Sequence, residues 1–315
     1  MKSNLLSAGL GLLVLAAAPD GRALDRVVQK NFPAGPGCVL RLDTYRGGIE
    51  VKPIPTPEIR ITVSLAVLVD NDQEANQVLN RLQLEIKQDQ GVVSVLARNP
   101  SETRVRFLWE EKKRIKISYT VSVPPGCRVD VSTNDGDIII GDVTGPTQVH
   151  AHLGVISFRH VYGDITASTD RGDIIGSHCV GAATLRATGG MIRVGAIEGP
   201  ADFRTTNGDI EVQHALGGIT AFAEAGDITA GFGHAFTRDA KIATNGGAIT
   251  LYLDPASHCT LAASSVWGHV HTDLPFVVQS GGSGRKTLNG QLNGGGPLLS
   301  VHADGGQVVI SPPRI

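Results

Sequence analysis

Five aspartates occupy positions where carboxylates could gather a cation: Asp137, Asp164, Asp173, Asp209 and Asp227. Calcium prefers several oxygen ligands, so stacked carboxylates would suit it. Val155 and Met191 stand where the series calls for further Asp. They leave gaps of two strand spacings, roughly 9.6 Å, too wide for one ion to bridge. Hydrogen bonding of each Asp within its own turn accounts for the same positions. His150 with His152, and His269 with His271, lie two residues apart, so each pair could offer two imidazoles to zinc or copper from one face of a strand. No Cys or carboxylate at a ligand spacing completes either set, so no metal site is expected. Arg171-Gly172-Asp173 spells an integrin-recognition tripeptide, but its Gly and Asp recur elsewhere as turn residues.

Catalytic constellations are just as sparse. Asp202, Asp239 and Asp254 are scattered, and neither Gly-x-Ser-x-Gly nor His-Glu-x-x-His occurs. No catalytic residue and no cofactor are assigned. The balance of 28 Lys and Arg against 30 Asp and Glu gives a net charge of -2, which provides no basic field for nucleic acid. The run Glu110 to Arg114 sets two acids against three bases and suits a solvated loop or strand end.

The elements that must position these side chains are written in the spacing of glycine and isoleucine. Ile138, Ile156, Ile174, Ile192, Ile210 and Ile228 recur every 18 residues, each two places after a Gly. A second Gly column runs nine residues out of phase through Gly145, Gly163, Gly181, Gly199 and Gly217. Between the glycines the chain alternates: Val131, Val149, Ala167, Leu185, Phe203 and Ala221 form an apolar column, and Thr133, Ala151, Thr169, Ala187, Thr205 and Ala223 a small one. Ser132, His150, Ser168, Arg186, Arg204 and Phe222 fall between these columns and face the other way. Ice binding would need an outward Thr array, whereas this Thr column points inward.

Nine residues are too few for a strand, a helix and their loops, which excludes βαβ units. Successive turns of chain must stack as rungs about 4.8 Å apart. The expected fold is all-β: a parallel β-solenoid with rungs of about 18 residues, spanning residues 126–315. Two sheets closed by two Gly corners, or three short faces, would each fit that length. Beyond Ile228 the interval lengthens to 21, placing Ile249 and then Val270 next in the stack, with Gly306 to Ile310 as a last strand.

Residues 24–125 form a β-rich cap with longer strands at Glu58 to Val69, Gly91 to Ala97 and Ile115 to Val123. One short helix is expected over Asp72 to Gln83 from the spacing of Ala75, Val78, Leu79 and Leu82. Pro36-Gly37-Cys38 and Pro125-Gly126-Cys127 lie 89 residues apart, as do the Gly-x-Ile units at Gly47 and Gly136. One strand-turn-strand element therefore occurs twice. If its copies stack as neighbours, the Cα atoms of Cys38 and Cys127 fall about 5 Å apart, within disulfide range, and the two are expected to be bonded. Cys179 shares a column with Val143, Val161 and Ile197 and fits a buried apolar role; Cys259 is too many rungs away to pair. Residues 1–23 have the form of a signal peptide, with Lys2 followed by the uncharged run Leu5 to Ala18, and cleavage after Ala18 or Ala23. No later stretch is apolar enough to span a membrane, so the exported chain goes to the periplasm or the cell surface.

The Val123 to Pro125 entry, the Asn/Asp-Gly-Asp-Ile units at Asp135 to Ile138 and Asn207 to Ile210, and the closing Asn293 to Pro297 resemble those of a bacterial exported β-strand-repeat family named as candidate adhesins. The resemblance implies surface or periplasmic interaction and carries no catalytic residues. The expected function is a non-enzymatic scaffold or adhesin-like interaction protein of the cell envelope, with an envelope protein or glycan as partner. The outward positions His150, Arg186, Arg204 and Phe222 are its candidate interaction surface. The alternative is a carbohydrate-binding or carbohydrate-active solenoid, a lyase or hydrolase, which would need clustered carboxylates in one groove.

Overall fold

The computed structural model of the protein describes residues 12–17, 23–68, 73, 82–99, 115–233 and 237–313. Its elements are β-strands, and the chain divides into two compact units, one ending at Pro146 and the other beginning at Thr147. No helix among the described residues is long and apolar enough to cross a membrane.

The first unit carries β1 (Leu12–Ala17), β2 (Ala23–Pro33), β3 (Val39–Thr44), β4 (Gly48–Pro53) and β5 (Glu58–Leu68). It continues with β6 (Gln83–Asp89), β7 (Val92–Arg98), β8 (Ile115–Val123), β9 (Arg128–Asp135) and β10 (Ile138–Ile140). They lie in two sheets, in the orders β1-β2-β5-β8-β4-β10 and β9-β3-β7-β6. The 89-residue duplication is visible as direct pairing. Leu40 lies opposite Val129 where β3 meets β9, and Ile49 opposite Ile138 where β4 meets β10, both parallel. The intervening chain supplies the next strand on each side, with β8 beside β4 and β7 beside β3. These pairings bind β9 and β10 to the first unit, which therefore extends past residue 125 to Pro146. Most of the expected helix over residues 72–83 lies outside the described residues, and its last residue, Gln83, begins β6. The charged run 110–114 lies outside them entirely. Strand β1 falls inside the expected leader and pairs antiparallel with β2.

The second unit begins with β11 (Thr147–Leu153), β12 (Ile156–Val161), β13 (Ile165–Arg171), β14 (Ile174–Cys179), β15 (Ala183–Ala187) and β16 (Ile192–Ile197). Next come β17 (Ala201–Asn207), β18 (Ile210–Ala215), β19 (Ile219–Ala225), β20 (Ile228–Phe232), β21 (Ala240–Thr244) and β22 (Ile249–Leu253). The last six are β23 (Cys259–Ser265), β24 (Val270–Thr272), β25 (Val277–Gly281), β26 (Thr287–Leu292), β27 (Leu298–Ala303) and β28 (Val308–Ser311). Even-numbered strands from β12 to β22 form one sheet and odd-numbered strands from β11 to β21 the other. All of these pairs are parallel, and Ile156, Ile174, Ile192, Ile210 and Ile228 stand opposite one another in sequence. Period-two alternation turns each of these isoleucines inward, where all five are fully buried.

The corners between the sheets need glycine for a steric reason. Gly172 has φ 150°, and a Cβ there would lie 2.0 Å from the Gly154 carbonyl oxygen. No side chain fits where one rung's corner sits directly on the next. Inside the core, size is traded between rungs. Phe158 stands opposite Gly176, and its ring occupies the space that a Cβ of Gly176 would take, with its Cζ atom at 2.0 Å.

The stack does not follow chain order at its end. Ile249 of β22 lies opposite Val308 of β28, and Val308 lies opposite Val270 of β24. Val270 is therefore two strands from Ile249, correcting the expectation that it comes next. The same intercalation occurs in the other sheet, where β27 sits between β21 and β23. A Cβ on Gly306 would meet the Gly247 oxygen at 2.3 Å, and one on Gly268 the Gly306 oxygen at 2.5 Å. The corner column is thus kept while the chain doubles back through the antiparallel strands β25 and β26 to fill the vacant place.

The Phe158–Gly176 exchange is testable by a double-mutant cycle in urea. Gly176→Ala overpacks the core and is expected to cost about 1–3 kcal/mol, and Phe158→Ala opens a cavity worth about 3–5 kcal/mol. The double variant is expected to lose clearly less than the sum; strict additivity would show that the two positions do not share space.

Candidate interaction surface

The repeated aspartates are hydrogen-bonded into the corners. A side-chain oxygen of Asp164 accepts from the Ala182 amide at 2.9 Å and one of Asp173 from the Met191 amide at 2.9 Å. Asp209 accepts from the Asp227 amide and Asp227 from the Ala248 amide, each at 2.8 Å. Every one of these bonds runs to the following rung, so the carboxylate satisfies an amide where regular strand pairing breaks. On the inner side the buried column returns the favour to carbonyls: Thr169 donates to Gly154 at 3.2 Å, Thr205 to Gly190 at 3.0 Å and Thr244 to Gly226 at 2.8 Å.

The other candidates resolve individually. His150 Nδ1 pairs with the Ser168 hydroxyl at 2.9 Å, and His152 Nδ1 with Asp170 at 2.6 Å. His271 lies 3.4 Å from the Ser283 hydroxyl. No group of three or more His, Cys, Asp or Glu among the described residues could hold a metal ion. Arg171-Gly172-Asp173 spans the end of β13 and a Gly corner, with Asp173 committed to Met191. Of the scattered acids, Asp239 accepts from the Leu298 amide and Asp254 from the Ala256 amide, both at 2.8 Å.

All four cysteines are buried. Cys179 lies opposite Val161 and Ile197 in the core, and burial pushes its thiol up to about 11. Cys38 and Cys127 lie one residue before the register pair Val39 and Arg128, and the Arg128 amide donates to the Cys38 carbonyl at 3.0 Å. Burial, reinforced by the adjoining Cys38 thiol, raises the Cys127 thiol well above its ordinary value.

His150, Arg186, Arg204 and Phe222 fall in one straight row on the outer face of the odd-numbered strands. His150 lies opposite Ser168, Ser168 opposite Arg186, Arg186 opposite Arg204, and Arg204 opposite Phe222. Five adjacent positions at about 4.8 Å make a strip of roughly 19 Å. The residue missed in this row's neighbourhood is Asp202. Its carboxylate accepts from Arg204 Nε at 3.0 Å and from Arg186 Nη2 at 3.5 Å, so it holds two guanidinium groups against one another's repulsion. Both arginines remain 51% exposed, which makes the cluster worth little for stability and leaves its surplus positive charge open to a partner. Asp202 shares β17 with Arg204 and reaches Arg186 because rungs stack; its two-residue spacing from Arg204 was the one available signal.

Two sheets built of parallel rungs, closed by glycine corners and faced by flat rows of side chains, define an all-β solenoid of stacked strands. Residues 58–311 match the Toastrack DUF4097 family, and the chain belongs to it. No curated protein matches. Among solved structures it is similar to a candidate adhesin from Bacteroides fragilis, at 12% identity and TM-score 0.41, covering 90% of this chain and 96% of that one. A candidate lipid-binding protein from Parabacteroides distasonis matches at 11% identity and TM-score 0.48, covering 92% and 97%. A candidate cell-adhesion protein from Clostridium sporogenes matches at 9% identity and TM-score 0.22, covering 90% and 99%.

Removing one corner acceptor tests the role of the aspartates. Asp209→Ala is expected to cost about 1 kcal/mol in a urea melt, while millimolar calcium or a chelator leaves the wild-type melting temperature unchanged. A calcium-dependent rise that Asp209→Ala abolishes would show that the carboxylates are ligands after all.

Proposed function

We propose that the protein is a non-enzymatic, exported scaffold of the bacterial envelope, built on rungs of about 18 residues, whose outer wall docks a partner bearing acidic groups. The observation that carries this reading is the Arg186–Asp202–Arg204 cluster in line with His150 and Phe222. It offers two guanidinium groups held in fixed orientation, one aromatic ring and a flat approach, which suits an extended surface better than a small molecule. The absence of enzymatic activity belongs to the same proposal. It is supported by the work the carboxylates already do: Asp164, Asp173, Asp209, Asp227, Asp239 and Asp254 accept backbone amides, and Asp202 pairs with arginine.

Export rests on the leader-like residues 1–23, and oxidation of Cys38 with Cys127 follows from it, since an oxidising compartment permits a disulfide between neighbouring thiols. Bond formation is a two-electron oxidation that the oxidants of such a compartment supply while the chain folds, before both thiols are buried. Non-reducing peptide mapping of protein recovered from the envelope is expected to yield one peptide joining Cys38 to Cys127, with Cys179 and Cys259 free. Recovery of all four as thiols would refute both the bond and this part of the export argument.

Charge reversal tests the wall. Arg186→Glu with Arg204→Glu is expected to weaken binding of the purified protein to envelope fractions by about tenfold or more, with wild-type binding falling steeply as salt rises and the thermal melt unchanged. Equal binding by the variant, or binding insensitive to salt, would remove the wall from the mechanism.

A further inference from the structure

The opposite sheet of the second unit carries a concavity that the flat-wall reading does not use. It lies on the outer face of β18, β20 and β22, with a volume of about 320 Å³, and is lined by Glu211, Gln213, Thr229, Gly231, Tyr252 and Pro313, with Val212 beneath. That is the small end of the range for ligand pockets, about 300–1,000 Å³.

Its shape follows from one residue and one irregularity. Gly231 lies opposite Tyr252 on β22. A Cβ at Gly231 would lie 2.1 Å from the Gln213 carbonyl oxygen, so this outward position is held without a side chain and leaves a notch one strand wide. Beside it the pairing of β18 with β20 shifts register between Val212 and Ala215; such bulges re-aim side chains and recur next to binding sites. Tyr252 walls the notch on one side and Gln213 on the other, with Pro313 contributing a rim from the C-terminal segment.

The chemistry of the lining narrows the ligand. Glu211 is the one carboxylate in it, and its Oε2 atom is paired with Arg193 Nε at 2.7 Å, so the site presents no net charge to select an ion. Among the described residues the side chains of Gln213, Thr229 and Tyr252 make no hydrogen bond to the protein. An amide, a hydroxyl and a phenol are thus free to serve as both donors and acceptors around an aromatic face. Alternating hydroxyls over a weakly apolar ring face are what such a set matches: the aromatic side chain covers the C–H face of a pyranose while the polar groups meet its rim. The site is open to solvent, which suits a residue of a longer chain lying across the sheet.

We infer that this notch is a subsite for a neutral sugar residue of a polysaccharide, with Tyr252 as stacking platform and Gln213, Thr229 and Glu211 as hydrogen-bonding groups. The inference stands apart from the proposed wall, which lies on the other sheet. It assigns binding without cleavage, because hydrolysis of a glycosidic bond calls for a second carboxylate and the lining has one.

Saturation-transfer NMR and calorimetry on the full chain, with cellotetraose, mannotetraose, xylotetraose and chitotetraose as neutral probes and tetragalacturonate as the acidic one, provide the test. At least one neutral probe is expected to bind. Tyr252→Ala should weaken it by about tenfold, the scale of one lost aromatic contact, and Tyr252→Phe should retain most of the affinity. Gln213→Ala, at an exposed position, should weaken it by about threefold or more and guards against a Tyr252 variant that fails to fold. Arg186→Glu with Arg204→Glu should leave sugar binding intact, which separates failure of this site from failure of the wall. Binding of no neutral probe, preference for the acidic one, or affinity unmoved by Tyr252→Ala and Gln213→Ala would overturn the inference.

Discussion

Everything in the second unit depends on backbone hydrogen bonding that continues from rung to rung through the corners as well as along the strands. A parallel sheet satisfies its own amides only while the strands are straight, and each rung here must bend twice. At the bend from odd- to even-numbered strands Asp173, Asp209 and Asp227 accept amides of the following rung and buried threonines donate to glycine carbonyls of the preceding one, and at the other bend Asp164 accepts the Ala182 amide. Because an unpaired buried backbone group is costly, the residues able to stand at a corner are few, and the repeat follows from that restriction.

Much of this architecture could be read from residue types alone. Isoleucine and glycine columns report an environment repeated by stacking, and the inward Thr169 and Thr205 are buried as alternation requires. The equivalence of Cys38 with Cys127 announced that β3 and β9 would pair. What escaped was order and lateral proximity. The intervals from Ile228 to Ile249 to Val270 are equal, so spacing could not reveal that Val308 intervenes; Gly306 keeps the same corner geometry as Gly247 and Gly268 wherever it falls in the chain. Phe158 filling the space above Gly176 was likewise invisible, because each residue taken alone looks like an irregularity.

The functional surfaces show the same division. Outward positions are unconstrained by the core, so their types vary and no column advertises them. His150, Arg186, Arg204 and Phe222 could be placed on one face by counting, whereas the clamp by Asp202 and the notch at Gly231 arise from neighbours one rung away and depend on geometry. The two sheets of the unit present different chemistry as a result. One is flat with oriented arginines, and the other is indented beside a tyrosine.

The central claim is that outward residues 18 apart are lateral neighbours in solution, as Thr166 and Thr184 are in the structure. Engineered cysteine pairs measure this directly. Thr166→Cys with Thr184→Cys is expected to oxidise to an intramolecular disulfide in high yield, because adjacent strands hold Cα atoms about 5 Å apart. Thr166→Cys with Asp202→Cys, two strand spacings apart, is expected not to cross-link. Failure of the first pair in a folded protein, or equal cross-linking of both, would contradict the stacking on which the account is built.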